Sequence, residues 1–217
     1  MKKLSNFYRV SQVNEEELKN RLRQLRLVKL ADGRYDVIGD ADFNNLGLTS
    51  LLEIPIKIRK VTGSFNCDTN YLTSLKGAPE YIGGNFTCVG NRLTSLEGAP
   101  KYVGGDFNCS YNLLETLEGA PKHVDGDFDC SFNRLTTLKG APEYVGDSFY
   151  CHENQLVSLE GAPKHVGGDF DCSFNHLTTL KGAPKHVGGD FDCSFNSRRF
   201  TEAEVRKLVN VRGKVIV

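Results

Sequence analysis

The sequence predicts a mainly β, right-handed solenoid with a helix-containing cap at each end. Two recurring features carry this prediction, because the tripeptide Gly-Ala-Pro and a single cysteine both return every 21 residues through most of the 217-residue chain. A constant period near 20 residues is typical of units that bury their apolar side only by stacking on neighbours. We therefore predict one elongated domain with an N-terminal cap at 1–38, a solenoid at 39–196 and a C-terminal cap at 197–217.

The N-terminal cap is predicted to contain a short amphipathic helix and a β-hairpin. Asn14 precedes three glutamates, which is N-cap chemistry, and leucines follow at helical spacing from Leu18. The dipeptide Asp32-Gly33 favours a tight hairpin turn in which both central residues adopt positive φ. We expect this cap to cover the end of the solenoid core, since a terminal unit lacks the neighbour that covers the others.

Each solenoid unit has the pattern x-F-x-C-x-x-N-x-L-x-x-L. Phe128 and Cys130 are two residues apart, so both point to the same, buried face of a short strand. Asn133 belongs to a column of asparagines that we expect to satisfy backbone groups where each strand turns. A degenerate unit from Gly39, six regular units and a truncated unit ending at Asn196 give about eight rungs.

Charged residues of opposite sign flank most Gly-Ala-Pro turns, as Glu97 and Lys101 do. We expect them to pair locally across the turn, and such surface pairs stabilise a fold little.

The unit resembles the L-x-L-x-x-N-x-L core of leucine-rich repeats, with Phe128 and Cys130 in the two leucine places, then Asn133 and Leu135. Its short length and proline-bearing return resemble the repeats of bacterial effector proteins. The repeat is also similar to those of leucine-rich repeat proteins encoded by tailed bacteriophages, through the sequence LTSLEGAP followed by VGGDF-x-C. This resemblance implies a leucine-rich repeat solenoid and a function in protein binding, with a host factor as the partner of a phage protein.

The C-terminal cap is predicted to be a helix followed by a strand. Thr201 and Glu204 form a capping-box pattern, and Val205, Leu208 and Val209 provide the apolar side of a helix that runs through Val209. The last three residues are strand-like. We expect the arginines and lysines of this cap to be solvated.

The composition argues against catalysis, cofactors and export. The seven cysteines are odd in number and follow the repeat, so we expect reduced, inert core thiols, and no C-x-x-C pair indicates a metal site. No nucleophile–base set or phosphate-binding loop is recognisable. No apolar segment is long enough for a membrane span or a signal peptide, which predicts a cytoplasmic, non-enzymatic protein without a cofactor.

The formal net charge is zero, but the charges are unevenly distributed. Residues 1–34 hold nine Lys/Arg against four Asp/Glu, and residues 197–217 hold six against two, so an acidic body lies between basic ends. This distribution leaves two alternatives open. Copies of the chain could pair acidic body to basic end, or the arginines of the caps, including Arg21, could bind nucleic acid.

The residues that alternate with the buried Phe and Cys are predicted to line an exposed, acidic sheet face. Such a face repels nucleic-acid backbones and favours a protein partner with a basic surface. Aromatic residues beside the asparagines are predicted either to form an exposed strip or to stack from rung to rung. One unit, at 148–153, departs from the pattern. The predicted partner-binding residues are Asp106, Asn108, Tyr111, Asp127, Asp129, Phe132, Tyr150, His152, Glu153, Asp169, Asp171, Phe174, Asp190, Asp192 and Phe195, with the serines at 110, 131, 173 and 194 on the same face.

Overall fold

The computed structural model describes residues 13–217. Residues 1–12, which the sequence analysis places in the N-terminal cap, lie outside this description. In chain order the elements are α1 (Glu15–Gln24), β1 (Leu27–Lys29), β2 (Tyr35–Val37), β3 (Ala41–Asp42), a 3-10 helix (Leu51–Glu53), β4 (Ile58–Val61), β5 (Phe65–Asn66), β6 (Tyr81–Ile82), β7 (Phe86–Thr87), β8 (Tyr102–Val103), β9 (Phe107–Asn108), β10 (His123–Val124), β11 (Phe128–Asp129), β12 (Tyr144–Val145), β13 (Phe149–Tyr150), β14 (His165–Val166), β15 (Phe170–Asp171), β16 (His186–Val187), β17 (Phe191–Asp192), α2 (Glu202–Leu208), β18 (Asn210–Val211) and β19 (Val215–Ile216).

Two sheets run along the solenoid. The odd-numbered strands from β3 to β19 form a 9-stranded parallel sheet, here called the Phe/Cys sheet because each regular strand starts with phenylalanine and is followed by cysteine. Strands β1 and β2 and the even-numbered strands from β4 to β18 form a 10-stranded sheet, here called the Tyr/His sheet. Eight strands of the Phe/Cys sheet come from the repeats and β19 comes from the cap, which confirms the predicted solenoid of about eight rungs.

The Tyr/His sheet was not predicted from the sequence. The pattern between each Gly-Ala-Pro turn and the next phenylalanine indicated only a return segment. In the structure, the residue pair Tyr144–Val145 and its counterparts form two-residue parallel strands whose valine or isoleucine is buried. Two-residue strands are too short to show a period of two, and the glycines that follow them indicate turns instead of strands.

The core is a stack of identical side chains from the two sheets. The phenylalanines of β5 to β17 stack in parallel, with ring centroids 5.2–5.6 Å apart from one rung to the next. The cysteines beside them are free thiols and are buried. Burial raises the pKa of Cys130 well above its ordinary value, and its Sγ donates to the carbonyl of Tyr150 at 3.3 Å. At the last rung, burial and the neighbouring Asp192 raise the pKa of Cys193 to about 12.

The asparagine column has the structural role that the sequence predicted. Asn133 Nδ2 donates to the carbonyls of Cys109, Cys130 and Ser131 at 3.1–3.2 Å, and Asn133 Oδ1 accepts from the amide of Leu114 at 3.0 Å. The side chain therefore connects neighbouring rungs and pairs four backbone groups where the strand ends. Removal of one such side chain would cost about 1–3 kcal/mol for each buried group that loses its partner.

The N-terminal cap joins the Tyr/His sheet. Helix α1 begins after Asn14, whose side chain accepts from the amide of Glu17 at 3.1 Å, and Leu18 on its inner side is buried. Strands β1 and β2 form the predicted antiparallel hairpin. The predicted turn type is wrong, because Gly33 has positive φ but Asp32 does not. The loop has three residues with glycine in the left-handed position, and this loop length suits a type I turn followed by a bulge.

The C-terminal cap closes both sheets. The capping box of Thr201 and Glu204 is formed, and α2 ends at Leu208, one residue earlier than predicted. Val205 and Val209 are buried, whereas Leu208 is exposed, so its predicted place on the apolar side is wrong. Strand β18 pairs with β16 at the end of the Tyr/His sheet and β19 pairs with β17 at the end of the Phe/Cys sheet, which covers the final rung.

The charges that flank the Gly-Ala-Pro turns pair along the stack and not across the turn. Lys76 Nζ lies 3.0 Å from Glu97 Oε2 in the next unit. The same arrangement joins neighbouring units at Glu80–Lys101, Glu118–Lys139, Lys122–Glu143 and Glu160–Lys181. This corrects the prediction of local pairing, which rested on sequence proximity without knowledge of the register between units.

Candidate protein-interaction face

The outer side of the Phe/Cys sheet brings the predicted partner-binding residues together in four columns that run along the solenoid. Asp106, Asp127, Asp169 and Asp190 lie at the entrance of each strand and form the first column. Asn108, Asp129, Tyr150, Asp171 and Asp192 form the second column, inside the strands. His152 lies in the third column with the serines, and Tyr111, Phe132, Glu153, Phe174 and Phe195 form the fourth column, in the turn after each strand.

The first column also holds the stack together. Asp127 Oδ1 accepts from the amide of Ser148 at 2.8 Å, and Asp169 Oδ1 accepts from the amide of Asp190 at 2.7 Å. Each aspartate thus accepts a hydrogen bond from a backbone amide of the next unit. Burial raises the pKa of Asp127, with a further increase from the neighbouring Asp147 and Asp106, although the bond from Ser148 opposes it. These aspartates have a structural role that alternation in the sequence does not show.

The second column ends each strand with a local turn. Asp129 Oδ1 accepts from the amide of Ser131 at 2.9 Å and from its hydroxyl at 2.6 Å. The same bonds join Asp171 to Ser173. They draw the serine side chains inward, so Ser110, Ser131 and Ser173 are buried. The prediction that these serines line the exposed face is wrong, because simple alternation does not include such side-chain turns.

The aromatic residues of the fourth column are both exposed and stacked. Tyr111 stacks on Phe132 with ring centroids 4.3 Å apart, and Phe174 stacks on Phe195 at 4.4 Å. Glu153 takes the same position in the unit between them and separates the two pairs. Phe195 keeps 72% of its surface exposed and Tyr111 keeps 55%. The strip therefore consists of two stacked aromatic pairs with an acidic residue between them.

All five fourth-column residues have a backbone conformation that side chains rarely adopt. Tyr111, Phe132, Glu153, Phe174 and Phe195 have φ between 51° and 55°. Bulky residues are uncommon in this left-handed region, where glycine and asparagine are favoured. Gly90 and Asn45 occupy the equivalent turn near the N-terminal end, also with positive φ. Those two residues were the sequence signal for this conformation, and the sequence analysis missed it.

The irregular unit forms a polar centre between the two aromatic pairs. His152 Nδ1 lies 3.3 Å from Asp171 Oδ2, an ion pair when the imidazole is protonated, although the two groups are not aligned as a hydrogen bond. The His152 ring also meets the ring of Phe132 edge-on at 5.4 Å. The contact with Asp171 raises the pKa of His152 against the opposing effect of burial. Burial alone would raise the pKa of Asp171, but contacts with His152 and Ser173 outweigh it and lower that pKa.

The comparison with solved structures identifies the fold. The structure of a Shigella effector LRR domain matches with a TM-score of 0.58 and 18% sequence identity, over 81% of this chain and 81% of that chain. The chain has a leucine-rich repeat fold. YopM from Yersinia enterocolitica also matches, at 20% identity over 72% of this chain and 47% of that one, but a TM-score of 0.33 is too low to support an argument. No protein-family model matches the chain, and no curated protein matches it.

The outer side of the Tyr/His sheet carries a separate column of stacked tyrosine and histidine rings. Stacked rings again lie on neighbouring rungs, with centroids 4.7 Å apart for Tyr81–Tyr102, 4.5 Å for His123–Tyr144 and 4.8 Å for His165–His186. Tyr102 donates its hydroxyl to Asp125, and this bond raises the pKa of Tyr102 to about 12. This column was not predicted from the sequence, because the sheet that carries it was not predicted.

Three arginines of the caps, Arg21, Arg198 and Arg206, form ion pairs within the fold. Arg21 contacts Glu17 at 2.8 Å and also Asp42, and Arg198 contacts Glu204. Arg206 contacts Glu202 at 2.7 Å and donates to two backbone carbonyls. Nucleic-acid binding through these side chains would have to displace carboxylates already in place, and that alternative stays a prediction.

The described residues, 13–217, provide neither a cluster of metal ligands nor a helix that could cross a membrane. In this part of the chain, no group of three His, Cys, Asp or Glu side chains is close enough to hold a metal ion. None of its helices combines the length and apolar character needed to cross a membrane.

Proposed function

We propose that this leucine-rich repeat is a non-enzymatic interaction module that binds a protein along the outer side of its Phe/Cys sheet, in the C-terminal half of the solenoid. The observation that carries the proposal is the exposure of aromatic side chains at positive φ. A left-handed conformation costs an ordinary residue about 1–2 kcal/mol, whereas glycine adopts it freely. Folding alone would therefore favour glycine or asparagine in this turn, as at Gly90 and Asn45, and Thr69, with φ of 53°, shows that the column also accommodates a smaller, non-aromatic side chain.

The surroundings of the aromatic pairs support a basic, partly apolar partner surface. Aromatic side chains are enriched at the centres of protein interfaces, where they bury large areas at little entropic cost. Asp171 and Asp192 lie on the same rungs as Phe174 and Phe195 and supply negative charge beside them. An acidic rim of this kind steers a basic partner and opposes a nucleic-acid backbone.

The resemblance to phage and effector repeats gives this proposal a biological setting. The partner would be a protein of the bacterium that a phage infects, or of the host cell that a bacterial effector enters. The module would act in the cytoplasm of that cell by covering one surface of the partner. The partner can be captured with the tagged protein from bacterial cells, identified by mass spectrometry and purified for binding measurements. Calorimetric titration with the purified partner then tests the face directly.

The first test removes the aromatic pair without disturbing the turn. We expect Phe174→Asn with Phe195→Asn to weaken partner binding about 10-fold or more, as loss of an interface anchor does. The free energy of unfolding should change by less than about 1 kcal/mol, since asparagine relieves the left-handed conformation while the ring stacking is lost. Thr69→Asn, in the same column at the other end, is the matched control and should leave affinity unchanged. An unaltered affinity in the aromatic variant would place the interface elsewhere.

A second variant tests the charge at constant geometry. Asp129→Asn, Asp171→Asn and Asp192→Asn keep the acceptor oxygen, because Asn108 already accepts from the amide of Ser110 in the same way at 2.9 Å. We expect weaker binding with a smaller dependence on salt. Replacement of Asp127 by lysine is unsuitable, since it would leave the amide of Ser148 without its acceptor.

A further inference from the structure

Two lysines on the Tyr/His side break the charge pairing of the stack. Lys164 and Lys185 are exposed and lie on neighbouring rungs, in the column where Glu80 pairs with Lys101 and Lys122 with Glu143. Among the described residues, neither Lys164 nor Lys185 has a carboxylate within ion-pair distance. The pairing of lysine with glutamate along this column therefore stops at this end of the solenoid.

Two histidines and one arginine lie beside these lysines. His165 and His186 follow the two lysines and stack at 4.8 Å. Arg212, from the C-terminal cap, lines a groove of about 430 Å³ together with Tyr144, His165, His186 and Asn210. No carboxylate lines this groove among the residues that the structure describes. We call Lys164, His165, Lys185, His186 and Arg212 the basic end.

The acidic counterpart lies on the Phe/Cys sheet of the same two rungs. Asp171 and Asp192 are paired in register, as His165 and His186 are. Asp169 and Asp190 precede them in the first column. The aspartates, and the lysines that directly precede the two histidines, thus repeat at the separation of neighbouring strands, about 4.8 Å. The two faces point away from each other, because the valines of one sheet and the phenylalanines of the other are buried in the same core.

The spacing between carboxylates distinguishes the acidic partners that the basic end could bind. Carboxylates on one side of an extended peptide are about 6.7 Å apart, since each residue advances about 3.3 Å and alternate residues share a side. On a helix they diverge around a curved surface. The acidic columns of a second solenoid keep the same 4.8 Å period over several rungs. The zero net charge of the chain also removes overall repulsion between copies.

We propose that the protein associates with further copies of itself, with the basic end of one copy docked on the Asp169, Asp171, Asp190 and Asp192 columns of the next. The two surfaces differ, so the contact is heterologous and association continues beyond a dimer. Exposed charges carry most of this contact, and we therefore expect it to be reversible and sensitive to salt. This proposal does not depend on the proposed function, although both use Asp171 and Asp192.

The test is sedimentation equilibrium of the protein alone over a range of concentrations at low salt and in 1 M NaCl. We expect the average mass to rise with concentration at low salt without levelling off at a dimer, and to fall to the monomer value at high salt. Lys164→Glu with Lys185→Glu removes the basic surface. Asp171→Asn with Asp192→Asn weakens the acidic one. Each variant alone should be monomeric, while an equimolar mixture should form a one-to-one complex, because each retains the surface that the other lacks.

The matched control is Lys29→Glu with Lys57→Glu, which changes the net charge equally at two exposed lysines outside the basic end, near the N-terminal end of the solenoid. It should associate like the unmodified protein. A monomeric wild-type chain at every concentration and salt would overturn the proposal. So would a mixture of the two variants that stays monomeric, or association that survives the Lys164→Glu/Lys185→Glu change. Binding of labelled hexaglutamate by a wild-type chain that remains monomeric would assign the basic end to an acidic peptide instead.

The same variants keep this proposal separate from the partner-binding one. Lys164→Glu with Lys185→Glu leaves the aromatic pairs and all aspartates intact. If this variant is monomeric and still binds the captured partner, both proposals hold. If it is monomeric and wild type binds no partner, self-association stands and the proposed function fails.

Discussion

At the scale of single residues, most outward side chains of the Phe/Cys sheet are also bonded to the backbone. Asp127 accepts from the next unit, and Asp129 accepts from the serine two residues later. His152 differs, because it replaces a serine and contacts Asp171 instead. The side chains of the proposed interface that can be replaced without loss of a backbone hydrogen bond are therefore the aromatic residues of the fourth column and His152.

The His152–Asp171 contact predicts a pH-dependent contribution to stability. The raised pKa of His152 means that the fold favours the protonated imidazole. The stabilisation is therefore fully present below the pKa of the unfolded state, about 6.5, and it disappears as pH rises through the pKa of the folded state. On the acid side, the lowered pKa of Asp171 means that the contribution is present above about 3.9 and disappears as pH falls through its folded value. His152→Gln should thus be destabilising at about pH 5.5 and nearly neutral at about pH 8.5.

The difference should stay below about 1 kcal/mol, because both side chains are partly exposed to solvent. Urea unfolding of wild type and His152→Gln at the two pH values measures it. An equal difference at both pH values would show that the charge of the imidazole is not involved.

The residue roles that could be predicted from sequence are those repeated in every unit. Phe128, Cys130 and Asn133 recur at the same positions in successive units. Stacking of equivalent residues explains both the burial of Phe128 and Cys130 and the hydrogen bonds of Asn133. The inward turn of Ser131 and the bond from Ser148 to Asp127 were not predictable in the same way. Both depend on short-range backbone geometry or on the register between units, and alternation along one strand contains neither.

At the scale of elements, the Gly-Ala-Pro turn shows why its glycine never changes. Gly161 has φ of +96°, and a Cβ added there would lie 2.5 Å from the backbone of Leu138 and Lys139 in the preceding unit. Proline fixes the following return, and the amide of Ala162 bonds to the carbonyl of Leu159 at 3.0 Å. The turn therefore needs both positive φ and close approach between rungs.

We expect Gly161→Ala to destabilise the protein by about 3 kcal/mol or more, since left-handed strain adds to the steric overlap. Gly90→Ala is the matched control, because its φ is also positive but the nearest atom to an added Cβ is 3.9 Å away. The control should cost no more than about 1–2 kcal/mol. Equal free energies of unfolding for the two variants, measured by denaturant titration, would contradict a role for close packing at the turn.

The Tyr/His sheet is the element that sequence reasoning missed, although the caps were predicted well. A capping box such as Thr201 and Glu204 is a local pattern with a local cause. The strands of the Tyr/His sheet form only because neighbouring units place Val145 and Val166 side by side. Their cause is stacking, which a single unit does not reveal.

At the scale of the whole molecule, the solenoid is a one-dimensional stack in which each unit contacts its neighbours. Deletion of residues 140–160 would join Lys139 to Gly161 and recreate the Lys-Gly-Ala-Pro sequence that precedes the next unit. We expect this shortened protein to fold and to unfold cooperatively, with a denaturant m-value reduced by about one eighth. It would lack Tyr150, His152 and Glu153, so the two aromatic pairs would lie on successive rungs.

Circular dichroism and urea titration test this expectation. As a control, deletion of 140–155 changes the chain by a length that does not match the unit and should prevent the later units from stacking on the earlier ones. A shortened 140–160 variant that is unfolded would mean that the irregular unit is needed for the stack itself.

The acceptor column at the strand entrances has a consequence for how this surface can evolve. Asp40, Ser64, Asn85, Asp106, Asp127, Ser148, Asp169 and Asp190 occupy it in successive units, and each of the first seven accepts from the amide of the next. Any small side chain with an oxygen meets the requirement, whether charged or neutral. Selection, or a designed library, can therefore rewrite the electrostatic pattern of this face one rung at a time while the backbone stays the same.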